Sequence, residues 1–207
     1  MVHYKLKYFP VRGRGEHIRQ LFKISGVKFE DEAVSLEAWP QIKSSTPLGQ
    51  LPVLEVDGQQ IAQSLAILRF LGHQFNRAGR NAVECAKLDM IADYVQDMTN
   101  NQGFNDWSKV LFGWIDTDKD AYFKDKVMPI VEQFAPTVEH HLLGNHLFAG
   151  DDETWVDIFV AEVFSRVQDF GNPNALSAYP RIEGLIRRVH SNPAIHHHLQ
   201  HRGNQIC

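Results

Sequence analysis

The stretch Gly49–Phe75, GQLPVLEVDGQQIAQSLAILRFLGHQF, decides the reading of the fold. Leu51–Val56 and Gln59–Ala62 are short runs suited to strands. Asp57-Gly58 stands between them, a pair that readily takes positive φ at both central positions of a two-residue hairpin turn. From Gln63 to Phe75 the period changes, with Leu65, Leu68, Phe70 and Leu71 apolar at helical spacing. The segment therefore reads strand, turn, strand, helix.

Toward the N-terminus, His3–Phe9 (HYKLKYF) places Tyr4, Leu6 and Tyr8 on one face of a strand. Pro10, Gly13 and Gly15 mark a turn. Glu16–Ile24 follows with Ile18, Leu21, Phe22 and Ile24 at helical spacing, and Gly26 ends that helix. Lys28–Val34 is a second strand. The order is β-α-β, a middle segment, then β-β-α. Beyond residue 82 no segment keeps strand alternation. Val83–Val95, Ala121–Leu143, Thr154–Val167 and Ile182–Val189 are helical in pattern. The join, Asn76–Asn81, is short and polar. The expected fold is an α/β domain over 1–77 followed by an all-α domain over 82–207.

Composition narrows the function. The 207 residues are 43% hydrophobic and 22% charged, an ordinary globular balance. No apolar run approaches the ~18 residues of a membrane span. Lys5, Lys7, Arg12, Arg14, Glu16 and Arg19 interrupt any secretory h-region, so a cytoplasmic location is expected. Cys85 and Cys207 form no CxxC pair, which fits a reducing compartment. A net charge of −4 gives no footprint for nucleic acid. Residues 1–76 hold nine Lys/Arg against seven Asp/Glu, and the remainder twelve against eighteen. The slightly basic N-terminal part would tolerate an anionic small ligand, although chance explains the asymmetry as well.

Three places could carry chemistry. Pro52 stands at a strand entrance, where it cannot donate to the ladder. A cis Leu51–Pro52 bond would leave the Leu51 N–H and C=O free to pair with an extended peptide, whereas a trans bond would merely start the strand. Ser64 opens a helix, either as a plain cap or as part of an N-terminus that receives a carboxylate. Tyr8 ends a strand before a turn. Its hydroxyl either satisfies an interior partner or donates to a ligand, and a donor aimed at a thiolate favours that thiolate.

Taken together, Tyr8, Trp39, Lys43, Gly49-Gln50-Leu51-Pro52-Val53 and Gln63-Ser64-Leu65-Ala66-Ile67 resemble a cytosolic glutathione S-transferase. The resemblance is strongest to the sigma class and its nematode relatives, and it runs through the whole chain. It implies a thioredoxin-like N-terminal domain, an all-helical C-terminal domain, and glutathione as co-substrate with no cofactor. It implies Tyr8 as the catalytic tyrosine and Arg14 as a catalytic neighbour. Leu51, before a cis Pro52, would meet the cysteinyl part within the Gly49–Val53 turn. Gln63 and Ser64 would meet the γ-glutamyl end, and Trp39 and Lys43 the glycyl end. Asp97 would reach the glutathione ammonium of a second subunit, so a homodimer is implied. The other partners would be hydrophobic electrophiles, with neither nucleic acid nor membrane.

Several features qualify this picture. Phe9, Pro10, Val11 and Arg12 stand where thioredoxin-like oxidoreductases need a cysteine, and Cys85 reads as a small core residue. Asp93 and Asp97 match an acidic cluster that binds Mg or Ca in some vertebrate sigma members. Gln96 replaces its middle carboxylate, so no metal is expected. Gly103 and Phe104 stand where prostaglandin-isomerising members carry a tryptophan. Thr154…Asp157 forms a capping box, while Glu153 supplies no hydrophobic staple to Ile158. His196, His197, His198 and His201 read as a solvated helix face, with a chelating pair of His197 and His201, at i,i+4, as the alternative. Phe104, Trp107, Val110, Leu111, Phe112 and Trp114, with residues 199–207, are either an apolar acceptor wall or core. Conjugation of glutathione to electrophiles is the leading function. A haem- or ligand-binding scaffold and a glutathione-dependent isomerase or peroxidase are the alternatives.

Overall fold

A computed structural model describes residues 2–202. The chain divides into two compact units. Of the described residues, one comprises 2–77 together with 192–202, and the other runs from Ala78 to Ser191.

The first unit is built on a four-stranded mixed sheet of order β2-β1-β3-β4. Its strands are β1 (Tyr4–Tyr8), β2 (Glu30–Ala33), β3 (Val53–Val56) and β4 (Gln59–Ala62). β2 runs parallel to β1, and β3 runs antiparallel to both β1 and β4. The expected hairpin forms, with φ of 47° at Asp57 and 85° at Gly58. Tyr4, Leu6 and Tyr8 are the buried face of β1, as their alternation requires. Helix α1 (Glu16–Ile24) lays Ile18, Leu21 and Phe22 into the same core. Phe22 stacks on Phe29 at 4.3 Å and meets Tyr4 edge-on at 5.4 Å. A short α2 (Trp39–Ile42) leads into a 3₁₀ turn, and α3 (Ser64–Gln74) follows the hairpin. Ser64 is not the cap of α3. Gln63 holds that position with φ +73°, and its C=O accepts the Ile67 N–H at 2.9 Å.

The second unit contains α4 (Ala82–Asn100), α5 (Gln102–Leu111), α6 (Lys119–Tyr122), α7 (Met128–His141), α8 (Trp155–Phe170) and α9 (Pro180–Ser191). The single helix expected over Ala121–Leu143 is interrupted by a π turn, Phe123–Val127. Pro129, which has no N–H, follows that wider turn at the start of α7. α8 is buried almost all round. Its capping box closes as expected, with the Asp157 carboxylate accepting the Thr154 N–H at 2.7 Å. Glu153, in place of a staple, pairs with Arg188 at 3.4 Å.

One expectation is corrected here. Cys85 is half-buried and donates to the Gly79 carbonyl at 3.3 Å, so it is not a core residue. The last helix, α10 (Pro193–His201), belongs with the first unit rather than with the helical one. Asn192 caps it by accepting the Ala194 N–H at 3.1 Å, and the helix packs on α1.

Candidate active site

The β1–α1 connection folds around Tyr8. Strand alternation turns the Tyr8 ring inward at the end of β1, leaving it 8% exposed. The Arg14 main-chain N–H donates to Tyr8 Oη at 2.9 Å. Gly13 and Gly15 lie flat against the ring. A Cβ at Gly15 would sit 2.8 Å from Tyr8 Cγ, and one at Gly13 would overlap the hydroxyl. Gly13 also takes φ +37°, a region that disfavours side chains. Arg19 fastens the loop from behind. Its Nη1 donates to the Val11 carbonyl at 2.8 Å, its Nη2 to that of Phe9 at 3.2 Å, and its Nε to Asp31 at 2.8 Å. The guanidinium carbon lies 5.8 Å from the Tyr8 ring centroid.

Of the other expected residues in this unit, Trp39 reaches this loop through Phe9, and the rest lie at the 3₁₀ turn, the β3 entrance and the start of α3. Phe9 meets Tyr8 at 5.7 Å and Trp39 edge-on at 5.9 Å. The Lys43 side chain is exposed, and its stem passes Gly49, where a Cβ would stand 3.6 Å from Lys43 Cε. Gly49 has φ +62°, so glycine suits the turn conformationally. Leu51–Pro52 is cis. Among the described residues the Leu51 N–H and C=O have no hydrogen-bond partner. Gln63 Nε2 donates to Gln50 Oε1 at 3.1 Å, which joins the β3 entrance to the start of α3. Ser64 is buried in the first turn of α3, where the leading N–H groups have no partner within the helix.

Asp97 is exposed on α4 in the helical unit. Arg14 contributes its main-chain N–H, while its side chain is exposed. Phe104, Trp107 and Val110 are 3%, 2% and 1% exposed, which makes them core of the helical unit. Phe112 and Trp114 stack at 5.3 Å on the surface. Residues 203–207, the end of the expected acceptor wall, lie outside the described residues, as does Cys207. Among the described residues no group of three or more His, Cys, Asp or Glu could hold a metal. Sequence reasoning missed Arg19 and the packing role of Gly13 and Gly15. The G-x-G spacing after a strand tyrosine was the available signal, but it was read only as a turn.

A thioredoxin-like unit with this loop, a cis proline opening β3 and a separate helical unit together define the architecture of glutathione transferases. The N-terminal domain of the glutathione S-transferase family matches residues 4–73, and its C-terminal domain residues 103–202. The chain is 52% identical to a Caenorhabditis elegans protein named probable glutathione S-transferase gst-36, over 98% of both chains. It superposes on a Nu-class glutathione S-transferase from Haemonchus contortus with a TM-score of 0.86 and 38% identity over the full length of both. It also superposes on monomeric Na-GST-3 of the hookworm Necator americanus, with a TM-score of 0.91 and 35% identity over 98% of both. The chain belongs to the glutathione S-transferase family.

Proposed function

We propose that this transferase uses Tyr8 to stabilise the thiolate of glutathione and passes the sulfur to apolar electrophiles. One observation carries the reading: Tyr8 Oη already accepts the Arg14 N–H at 2.9 Å. That bond holds the phenol oxygen in the β1–α1 loop, and a phenol, ionising near ~10, is a hydrogen-bond donor at neutral pH. Free thiols ionise near ~8.5, so a bound thiol at neutral pH is mostly protonated until a donor favours the anion. The thiolate then attacks an electrophilic carbon. A C–S bond forms, and either the leaving group departs with its electron pair or the acceptor's double bond takes up a proton.

The binding groups suit a tripeptide with two carboxylates and one ammonium. The Leu51 main chain offers one donor and one acceptor to the cysteinyl unit. The α3 N-terminus at Ser64, together with Gln63, suits the γ-glutamyl carboxylate. Lys43 brings a cation to the glycyl end, beside Trp39. Asp97 is assigned to the glutathione ammonium of a second subunit, which makes the working form a homodimer in our reading. Within the family we place the chain with sigma-like members, in a nematode branch that includes Nu-class proteins. A cytoplasmic site of action accords with its cysteine usage, and among the described residues no helix is long and apolar enough to cross a membrane.

Glutathione-dependent turnover across a panel of electrophiles, hydroperoxides and prostaglandin H2, with haem titrated alongside, tests this function. Conjugation of apolar electrophiles is the expected result. Tight haem binding without turnover would make the protein a ligand carrier, and activity confined to hydroperoxides or the endoperoxide would make it a peroxidase or isomerase.

A further inference from the structure

Glu16, the first residue of α1, has a side chain with no solvent exposure. Two side chains, one from α10 and one from the residue after it, converge on it. His198 Nε2 lies 2.9 Å from Glu16 Oε1, and Arg202 Nη1 lies 2.7 Å from the same oxygen. From within α1, Gln20 Nε2 donates to Oε1 at 3.4 Å, and Arg19 Nη1 stands 3.7 Å from Oε2. The histidine-rich helix is thus not a uniformly solvated face. His196, His197 and His201 are exposed, while the His198 side chain is 13% exposed and that of Arg202 12%.

We propose that His198 and Arg202 are positioning residues for Tyr8, acting through Glu16. The inference rests on Tyr8 being the thiol-activating group. A buried carboxylate is tolerated only when its charge is balanced, and removing one partner of a buried pair is strongly unfavourable. Glu16 also closes the turn that carries Arg14. The Glu16 N–H donates to the Arg12 carbonyl at 2.9 Å, and the Gly15 N–H donates to the same carbonyl at 3.2 Å. Between them, Arg14 holds the Tyr8 hydroxyl. Arg19 is the cation nearest to Glu16 within α1, yet its guanidinium is committed to the carbonyls of Phe9 and Val11. While His198 and Arg202 engage the Glu16 carboxylate, Arg19 stays on the loop carbonyls. Without them, Glu16 draws Arg19 toward itself, the carbonyls of Phe9 and Val11 lose the guanidinium, and the Arg14 N–H shifts from Tyr8. Residues more than 180 positions from Tyr8 thereby set where its hydroxyl points.

The test compares wild type, His198→Gln/Arg202→Gln, the same double variant with Glu16→Gln added, and Tyr8→Phe. The readouts are ultraviolet thiolate titration of bound glutathione, kcat, and KM for glutathione. The double variant should raise the bound-thiol pKa by about one unit and lower kcat at neutral pH about tenfold, leaving KM nearly unchanged. Adding Glu16→Gln removes the charge that needs balancing, and it should return most of both effects. If the double variant does not fold, Arg202→Gln alone, with and without Glu16→Gln, gives the same comparison. A thiol pKa unmoved by the α10 substitutions but raised by Tyr8→Phe overturns the positioning role. So does a defect that Glu16→Gln leaves unrepaired. A thiol pKa unmoved by Tyr8→Phe instead overturns the reading of Tyr8 on which the proposal rests.

Discussion

Arg14 donates its main-chain N–H to the hydroxyl of Tyr8 across 2.9 Å, six positions along the chain. The bond engages an acceptor site of the phenol and holds its oxygen against the loop. The turn between the two residues is shaped for this contact by Gly13 and Gly15, which leave the ring room.

Deleting that hydroxyl is the most direct test. Tyr8→Phe keeps the ring and its packing, so fold and glutathione affinity should survive. Loss of a charge-assisted hydrogen bond, about 1.5–3 kcal/mol, should raise the bound-thiol pKa by roughly one to two units. Conjugation at neutral pH should fall about 10- to 100-fold and recover in part at higher pH. Coincident thiolate titrations of the two glutathione complexes would transfer the role to another donor.

Gly15→Ala tests the packing of the same ring. The backbone at Gly15 is right-handed, with φ −97°, so alanine faces no conformational penalty there. Its methyl would instead press on Tyr8 Cγ from 2.8 Å. We expect about 1–3 kcal/mol of destabilisation by overpacking, together with a fall in kcat as the phenol is displaced. Denaturant midpoints and steady-state kinetics read the two effects separately. A loss of stability without loss of kcat would show that the ring position is not critical.

The capping box of α8 gives a stability prediction remote from the loop. Asp157 accepts the Phe148 N–H at 2.9 Å, the Thr154 N–H at 2.7 Å and the Thr154 hydroxyl at 2.6 Å. Asp157→Ala leaves three donors without their acceptor, each worth about 1–3 kcal/mol when buried, and should unfold the helical unit or nearly so. Thr154→Ala should cost about 0.5–2 kcal/mol as a lost cap. Thermal unfolding of both variants would rank them, and equal losses would contradict the assignment of the carboxylate as hub.

Two buried carboxylates predict opposite pH slopes. Burial pushes Asp157 up to about 6, against the pull of its three donors. Between about pH 4 and 6 the folded state then holds a proton that the unfolded state has released, so stability falls as pH rises through that window. Burial pushes Glu16 up as well, but the hydrogen bonds and charges of His198 and Arg202 more than offset it and hold Glu16 at about 2. Between about pH 2 and 4.5 the unfolded state binds the extra proton, so this contribution is full above 4.5 and is lost as pH falls. Denaturant unfolding across pH 3–6.5 should lose its acid-side slope in Glu16→Gln. Asp157→Asn should lose the slope nearer neutrality. A wild-type slope retained in either variant would remove that residue from the account.

Local patterns in the sequence determined much of this protein. Asp57-Gly58 set the hairpin, alternation placed Tyr8 on the inner face of β1, and Thr154…Asp157 fixed the start of α8, because each depends on residues a few positions apart. The block from Gly49 to Ile67, with Tyr8, carried the family resemblance for the same reason. Tertiary structure alone decided what lies between distant segments. It made Gln63, with positive φ, the cap of α3 in place of Ser64, since that backbone is imposed by the junction with β4. It also separated Phe104, Trp107 and Val110, which fill a core, from Phe112 and Trp114, which do not, although all share one apolar stretch. Above all, it brought His198 and Arg202 onto Glu16. Periodicity reports which face of a helix is apolar, but not which distant carboxylate its cations will meet when that helix packs.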